Sequence, residues 1–302
     1  GAVGLFGAAA RAAPTIPHAN MEFKELATAL ATVYGEREAR NMVQWLAEDL
    51  FAVREPFGAK VVLSGEQSKQ LAEIAERLLR RHEPLQYVLG KVNFYGYDLA
   101  VSPAVLIPRP ETEELVYNIV QQVRRMPAPP RRWLEVGTGS GCIAIALKKQ
   151  LPQIDITAVD ISAQALHLAR QNAAAQGAEI NFAQVDFLKV EEWHRHFAQP
   201  FDALVSNPPY ILREEFAERM SANTVHEPDA ALFVEGGDVL QFYRAFVDFA
   251  PFLSPSAWLW AELNEFVAEE TLQLFCASEK WHKSQLIRDI RGVWRVGQGQ
   301  KK

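Results

Sequence analysis

The segment Trp133–Gln150 constrains the fold more than any other. A short apolar run, Trp133-Leu134-Glu135-Val136, passes into Gly137-Thr138-Gly139-Ser140-Gly141 and then into the helical pattern of Cys142–Gln150. Closely spaced glycines between a strand and a helix let the backbone turn sharply and approach a ligand, with the partial positive charge of the helix N-terminus behind it. Predicted strands follow at Ile156–Val159, Asn181–Val185, Phe201–Val205 and Trp258–Leu263, alternating with helical stretches such as Ala163–Gln176. This alternation predicts an α/β, Rossmann-like fold of βαβ units around a mostly parallel sheet. A last pair, Ser284–Ile290 and Val293–Val296, split by Arg291-Gly292, reads as an antiparallel hairpin on that sheet.

Upstream the pattern is helical. Ala39, Met42, Val43, Leu46 and Leu50 recur at three- and four-residue steps. Ser64-Gly65-Glu66-Gln67 is a capping box, opening a helix to about Arg81 with Leu71, Ile74, Leu78 and Leu79 on its buried face. Residues 21–85 are therefore expected to form a small helical bundle and 86–107 a β-hairpin linker around Gly96. Residues 108–302, beginning with the amphipathic helix Glu111–Val123, are expected to form the α/β domain. Residues 1–20, Ala-rich and without acids, precede Met21 and are expected to be an appended expression remnant, with a transit-peptide remnant as the other reading.

Composition excludes several function classes. A formal net charge of −6 argues against attraction of the whole surface to nucleic acid, and no direct nucleic-acid binding is expected. Two cysteines cannot make a disulfide framework, which points to a reducing cytoplasm. Cys142 sits where a helix N-terminus can activate a thiol, although a small buried residue is the ordinary reading. The seven histidines show no ligand spacing, so no metal is expected, and no apolar run is long enough to predict a membrane span.

Two acids narrow the ligand of the glycine loop. Asp160 ends the second strand, where a carboxylate accepts from both hydroxyls of a ribose. Asp186 ends the third, where it can accept from an adenine amino group, and Phe187 beside it can cover the ring face. The glycine spacing is G-x-G-x-G rather than the dinucleotide G-x-G-x-x-G, which favours S-adenosyl-L-methionine (SAM), with S-adenosyl-L-homocysteine as product.

The fourth strand runs into Ser206-Asn207-Pro208-Pro209-Tyr210. A planar amide nitrogen is a poor nucleophile because its lone pair is delocalised. Two fixed acceptors, the Asn207 side-chain oxygen and the Pro208 carbonyl, can hold its two hydrogens and aim the lone pair at a methyl group. Pro208 and Pro209 stiffen the loop, and Tyr210 can pack on the planar group and exclude water. The same logic serves any NH₂ on an sp² carbon, including the amino group of adenine in DNA.

The chain resembles the HemK/PrmC family of release-factor glutamine methyltransferases from roughly Met21 to the C-terminus. Glu83-Pro84-Leu85-Gln86-Tyr87-Val88-Leu89-Gly90 resembles its linker motif, and Leu106-Ile107-Pro108-Arg109-Pro110-Glu111-Thr112-Glu113 its most distinctive block. Glu135–Gly141 resembles its SAM loop, with Glu where many members have Asp, and so assigns Glu135, Gly137, Thr138, Gly139 and Gly141 to the cofactor. Asn207–Tyr210 matches its catalytic loop, and Glu227-Pro228 and Gly236-Gly237 match a further block. At Glu262-Leu263-Asn264-Glu265-Phe266 the chain departs from a Gly-containing turn. The resemblance implies a class I methyltransferase domain and an N-terminal domain that helps hold the substrate, a class I peptide chain release factor. The methyl acceptor is the glutamine of its Gly-Gly-Gln loop, and the product is N(5)-methylglutamine. It leaves Arg109 and Glu111 as residues that position the linker near the site. Related readings are methylation of a ribosomal-protein glutamine or of DNA adenine, and a methyltransferase fold that no longer reacts.

Overall fold

The structure is a computed structural model and describes residues 21–58, 61–213 and 222–302. The segment read as an appended remnant lies outside the described residues. The described chain divides into two compact units, residues 21–90 with 222–226, and residues 91–213 with 227–302.

In the first unit α1 (Phe23–Tyr34), α2 (Glu36–Phe51), α3 (Gly65–Leu79) and α4 (Leu85–Leu89) share one apolar core. Ala39, Met42, Val43 and Leu46 of α2 and Leu71, Ile74, Leu78 and Leu79 of α3 are buried, as their periodicity predicts. Ser64 caps α3 reciprocally: the Gln67 N–H donates to Ser64 Oγ at 3.1 Å, and the Ser64 N–H donates to Gln67 Oε1 at 2.9 Å. Ser64→Ala is expected to destabilise this unit by about 1 kcal/mol. Chemical denaturation followed by helical signal measures it; an unshifted midpoint would show that water replaces the cap. Past α3, Arg77 grips Glu83 through two hydrogen bonds of 2.7 and 2.6 Å and holds its carboxyl below the usual range. The residues expected to open the linker at 86 are instead helical. Pro84 is the N-cap of α4, whose Leu85 and Val88 join the helical core, so this unit runs to Gly90 and the hairpin starts later than expected. Proline suits that place because the first N–H groups of a helix have no internal partner.

The second unit opens with the hairpin β1 (Lys91–Phe94) and β2 (Tyr97–Ala100), turned by Tyr95 and Gly96, both at positive φ. Then come α5 (Pro110–Val123), β3 (Arg132–Val136), α6 (Cys142–Gln150), β4 (Asp155–Asp160), α7 (Ala163–Ala175), β5 (Asn181–Gln184), β6 (Phe201–Ser206), β7 (Leu253–Glu262), β8 (Trp281–Arg288) and β9 (Trp294–Lys301). The sheet order is β5-β4-β3-β6-β7-β9-β8, parallel from β5 to β7, with β9 antiparallel to both its neighbours. The chain winds from β3 outward to β5, then crosses to β6 on the other side of β3. That makes the gap between the ends of β3 and β6 the topological switch point, where such sheets bind ligands.

Packing explains where sequence and structure differ. On one face of the sheet Trp133 stacks on Trp260 at 5.4 Å, and Trp260 on Trp258 at 5.5 Å. Ala203 of β6 lies in register between Trp133 and Trp258 and is small enough to permit this layer. The buried indole N–H groups of Trp133 and Trp260 are satisfied by the Pro130 carbonyl and Gln122 Oε1. The C-terminal hairpin is longer than expected, because β9 continues through Gly297 and Gly299. These glycines are not loop signals. A Cβ at Gly297 would come within 3.0 Å of Leu263 Cδ2, and one at Gly299 within 3.3 Å of Trp281 Cε3. Bulky neighbours lie too close to admit a side chain.

Candidate active site

Sheet register brings four strand ends together. Val136 aligns with Val159 on one side and Ser206 on the other, and Ser206 aligns with Ala261. The glycine loop, Asp160, Asn207 and Glu262 therefore emerge side by side at the carboxyl ends. Ser206 Oγ donates to the Val136 carbonyl at 2.8 Å, joining β3 and β6 at the switch point.

The glycine loop is fixed from three directions. Gly137, Gly139 and Gly141 have φ of +72°, +54° and +83°, values that side-chain-bearing residues rarely adopt. Asp160 takes one backbone N–H on each oxygen, Gly139 at Oδ2 and Ser162 at Oδ1, both at 2.9 Å. Burial nevertheless raises the Asp160 carboxyl above its usual range. Asn172 of α7, 3% exposed, donates from Nδ2 to the carbonyls of Ser140 and Ala100 and accepts the Ala100 N–H at Oδ1. Within the strand, Glu135 is fully buried. Thr138 Oγ1 donates to its Oε2 at 2.6 Å, its Oε1 has no partner, and burial pushes its carboxyl up to about 8.

At the end of β6, Asn207 Nδ2 donates to Thr112 Oγ1 at 3.2 Å, and Thr112 donates to Glu262 Oε2 at 2.7 Å. Glu262 is interior, with its carboxyl pushed up to about 7 by burial, and Tyr243 donates to its backbone carbonyl at 3.0 Å. Asn207, Pro208, Pro209 and Tyr210 line a cavity of about 70 Å³ with Leu106 and Arg109. Burial, reinforced by Glu262, raises the Tyr210 hydroxyl well above its usual value, so it stays protonated. Arg109 pairs with the buried carboxylate of Glu227, whose other oxygen accepts the Ile107 N–H at 3.0 Å. The Leu106–Glu113 and Glu227-Pro228 blocks thus meet beside this cavity. A larger depression, about 470 Å³, opens beside Asp155, Arg170 and Asn181 at the amino ends of β4 and β5, away from these groups.

Residues 117–255 match the family model described as methyltransferase small domain. The release factor glutamine methyltransferase of Bacteroides thetaiotaomicron is 35% identical over 272 residues, covering 88% of this chain and 94% of that relative. The protein of the same description from Flavobacterium psychrophilum is 35% identical over 277 residues, covering 89% and 94%. The chain belongs to the release factor glutamine methyltransferase family. A solved structure of the release factor-specific protein-(glutamine-N5) methyltransferase from Alicyclobacillus acidocaldarius is 32% identical, covers 68% of this chain and 99% of that one, and has a TM-score of 0.41.

Of the residues singled out from the sequence, Glu135, Gly137, Thr138, Gly139, Gly141, Asp160 and Asn207 gather at the switch point, with Pro208, Pro209 and Tyr210 lining the adjoining cavity. Asp186 lies two residues beyond β5 and accepts the Leu188 N–H at 3.2 Å. Phe187 is placed otherwise than expected. It is 4% exposed, packed against Trp193 and Phe249 at 5.1 Å each and Phe246 at 5.7 Å, so it is a core residue and not an open cover for a ring. The exposed apolar side chains beside the two acids are Ile161 and Leu188; the signal for them was an apolar residue within two places of each acid. Thr112, Glu262 and Asn172 were also missed. The departure at Asn264 is resolved locally, because its side chain accepts the Phe266 N–H at 3.1 Å and turns the chain without glycine. Cys142 is not activated: burial pushes its thiol up to about 12. Glu111 faces Arg291 at 3.9 Å on the surface. Among the described residues, no three His, Cys, Asp or Glu side chains are grouped to hold a metal, and no helix is long and apolar enough to cross a membrane.

Proposed function

We propose that this chain transfers the methyl group of SAM to the side-chain amide nitrogen of the glutamine in the Gly-Gly-Gln motif of a class I peptide chain release factor. The observation that carries the reading is Asn207 at the switch point, its Nδ2 donating to Thr112, which turns its side-chain oxygen the other way as an acceptor. Identity of 35% over almost the whole of two relatives described as release factor glutamine methyltransferases supports the acceptor.

The residues present fit SAM. The partnerless buried oxygen of Glu135 lacks a donor that an ammonium group supplies. Each oxygen of Asp160 carries one N–H and keeps acceptor capacity for a ribose hydroxyl. SAM supplies a methyl group already activated on a positively charged sulfur, so neither a metal nor a covalent nucleophile is required of the protein. The chain's own work is orientation. Asn207 Oδ1 and the Pro208 carbonyl accept the two amide hydrogens, hold the acceptor nitrogen and stabilise the positive charge that develops on it. Tyr210 packs beside that group as a neutral phenol and excludes water.

Mass spectrometry of a purified release factor, incubated with this protein and SAM, tests the reading. One added methyl group on the Gly-Gly-Gln glutamine is the expected result. An unmodified factor, with methylation of a ribosomal protein or of DNA adenine instead, would overturn it.

The helical unit holds none of the residues gathered at the switch point, and it is assigned the docking of the folded factor. Remote contacts of this kind orient a reacting group that offers few atoms of its own. A flexible peptide must also be ordered on binding, at a cost for every fixed side chain. The specificity constant for intact factor should therefore exceed that for a short Gly-Gly-Gln peptide, and equal constants would defeat the docking role.

A further inference from the structure

We propose that Thr112 and Glu262 are positioning residues that determine which end of the Asn207 amide faces the reacting nitrogen. The inference rests on the methyl-transfer reading above and adds the device that gives Asn207 its polarity. An asparagine amide has a donor end and an acceptor end of nearly the same shape, and only the oxygen end is useful toward an NH₂ group. Something must select it. Thr112 Oγ1 can both donate and accept, and its proton goes to Glu262 Oε2 at 2.7 Å. A carboxylate can only accept, so Thr112 must donate to it and is left an acceptor toward Asn207. Asn207 Nδ2 fills that place at 3.2 Å, which turns Oδ1 the other way. The three side chains come from α5, the end of β6 and the end of β7. Thr112 and Glu262 are both buried, at 2% exposure each, where water does not scramble the order of donors.

The direction of the relay depends on the charge of Glu262. A protonated Glu262 can donate to Thr112, Thr112 can then donate to Asn207 Oδ1, and the amide turns its NH₂ toward the substrate, where it repels. The groups that act on Glu262 are Arg295 of β9 and Arg109 before α5, which favour its carboxylate, and Glu111 of α5, which opposes it. Tyr210 after β6, Tyr243 of the helix Gln241–Asp248 and Cys142 of α6 are held protonated near it. With the Glu262 carboxyl raised to about 7, the productive order holds above that pH and is lost as pH falls through it.

The test measures turnover on a release factor against pH for the full chain, T112V, T112S and E262Q, with SAM binding as the check on folding. Wild-type turnover at saturating substrates should fall on the acid side with a midpoint near 7. T112V should turn over roughly tenfold more slowly or worse, with the acid limb gone and SAM affinity retained. T112S, which keeps the hydroxyl, should restore both rate and limb, and E262Q should flatten the limb. In ¹⁵N spectra the Asn207 side-chain NH₂, assigned by its loss in N207A, should titrate with the same midpoint in the wild type and stay flat in T112V. T112V within twofold of wild type with an unchanged acid limb would overturn the relay, as would an Asn207 NH₂ signal indifferent to Thr112→Val. Failure of the wild type to methylate the factor would instead refute the methyl-transfer reading, and the spectra would still decide the relay.

Discussion

Asn207→Ala is expected to lower turnover by roughly 10²–10³ while SAM binding stays near the wild-type level. The size follows from what the side chain supplies. On the proposed reading its oxygen is an acceptor fixed before the reaction begins, and the side chain is held from behind by the Nδ2 bond to Thr112 at 3.2 Å. A water molecule in its place would have to be ordered at the moment when charge develops on the acceptor nitrogen. The loss should therefore appear in kcat with saturating release factor, measured by single-turnover methyl transfer, and calorimetry should show SAM affinity little changed. Near-normal turnover in this variant would remove Asn207 from the reaction.

Asp160→Ala should act on the other parameter. A charge-assisted hydrogen bond contributes about 1.5–3 kcal/mol, so the SAM dissociation constant should rise roughly ten- to hundredfold. The effect has two parts in this structure. The carboxylate no longer accepts from the ligand, and the Gly139 N–H, held at 2.9 Å, loses the bond that helps fix the loop. Asp160→Asn keeps one acceptor oxygen and should fall between the two. Titration calorimetry decides, and unchanged affinity in the alanine variant would show that a different acid holds the ribose. At saturating SAM the alanine variant should recover most of its rate, in contrast to Asn207→Ala.

The parts of the site that were legible in the sequence are those set by neighbours along the chain. Strand, glycine loop and helix lie within twenty residues, and the observed helix Cys142–Gln150 has the limits its pattern predicts. Asn207 and Asp160 were legible because a βα alternation fixes which strand ends face the switch point. Thr112 was not, since nothing local marks a threonine inside an amphipathic helix as the partner of an asparagine 95 positions away. Glu262, 150 positions from Thr112, stood in a segment that attracted notice only for lacking glycine. Phe187 misled for a related reason. An aromatic after an acid reads as a ligand contact, but its surroundings are set by Trp193, Phe246 and Phe249, which the chain reaches only later. Gly297 and Gly299 look like breakers until Leu263, Phe275 and Trp281 are seen to crowd them.

Asn172 limits how this protein can be rebuilt. One buried side chain joins the end of the β-hairpin at Ala100 to the glycine loop at Ser140. A one-residue insertion in the hairpin would carry Ala100 out of reach and strand an interior amide. A glycine loop spliced in from another Rossmann-like protein would not meet the same clasp unless Ser140 kept its place. Hairpin, loop and α7 are therefore one indivisible part for engineering, although they are scattered between residues 91 and 175. Exchanging the loop as a cassette would therefore carry the hairpin and α7 with it.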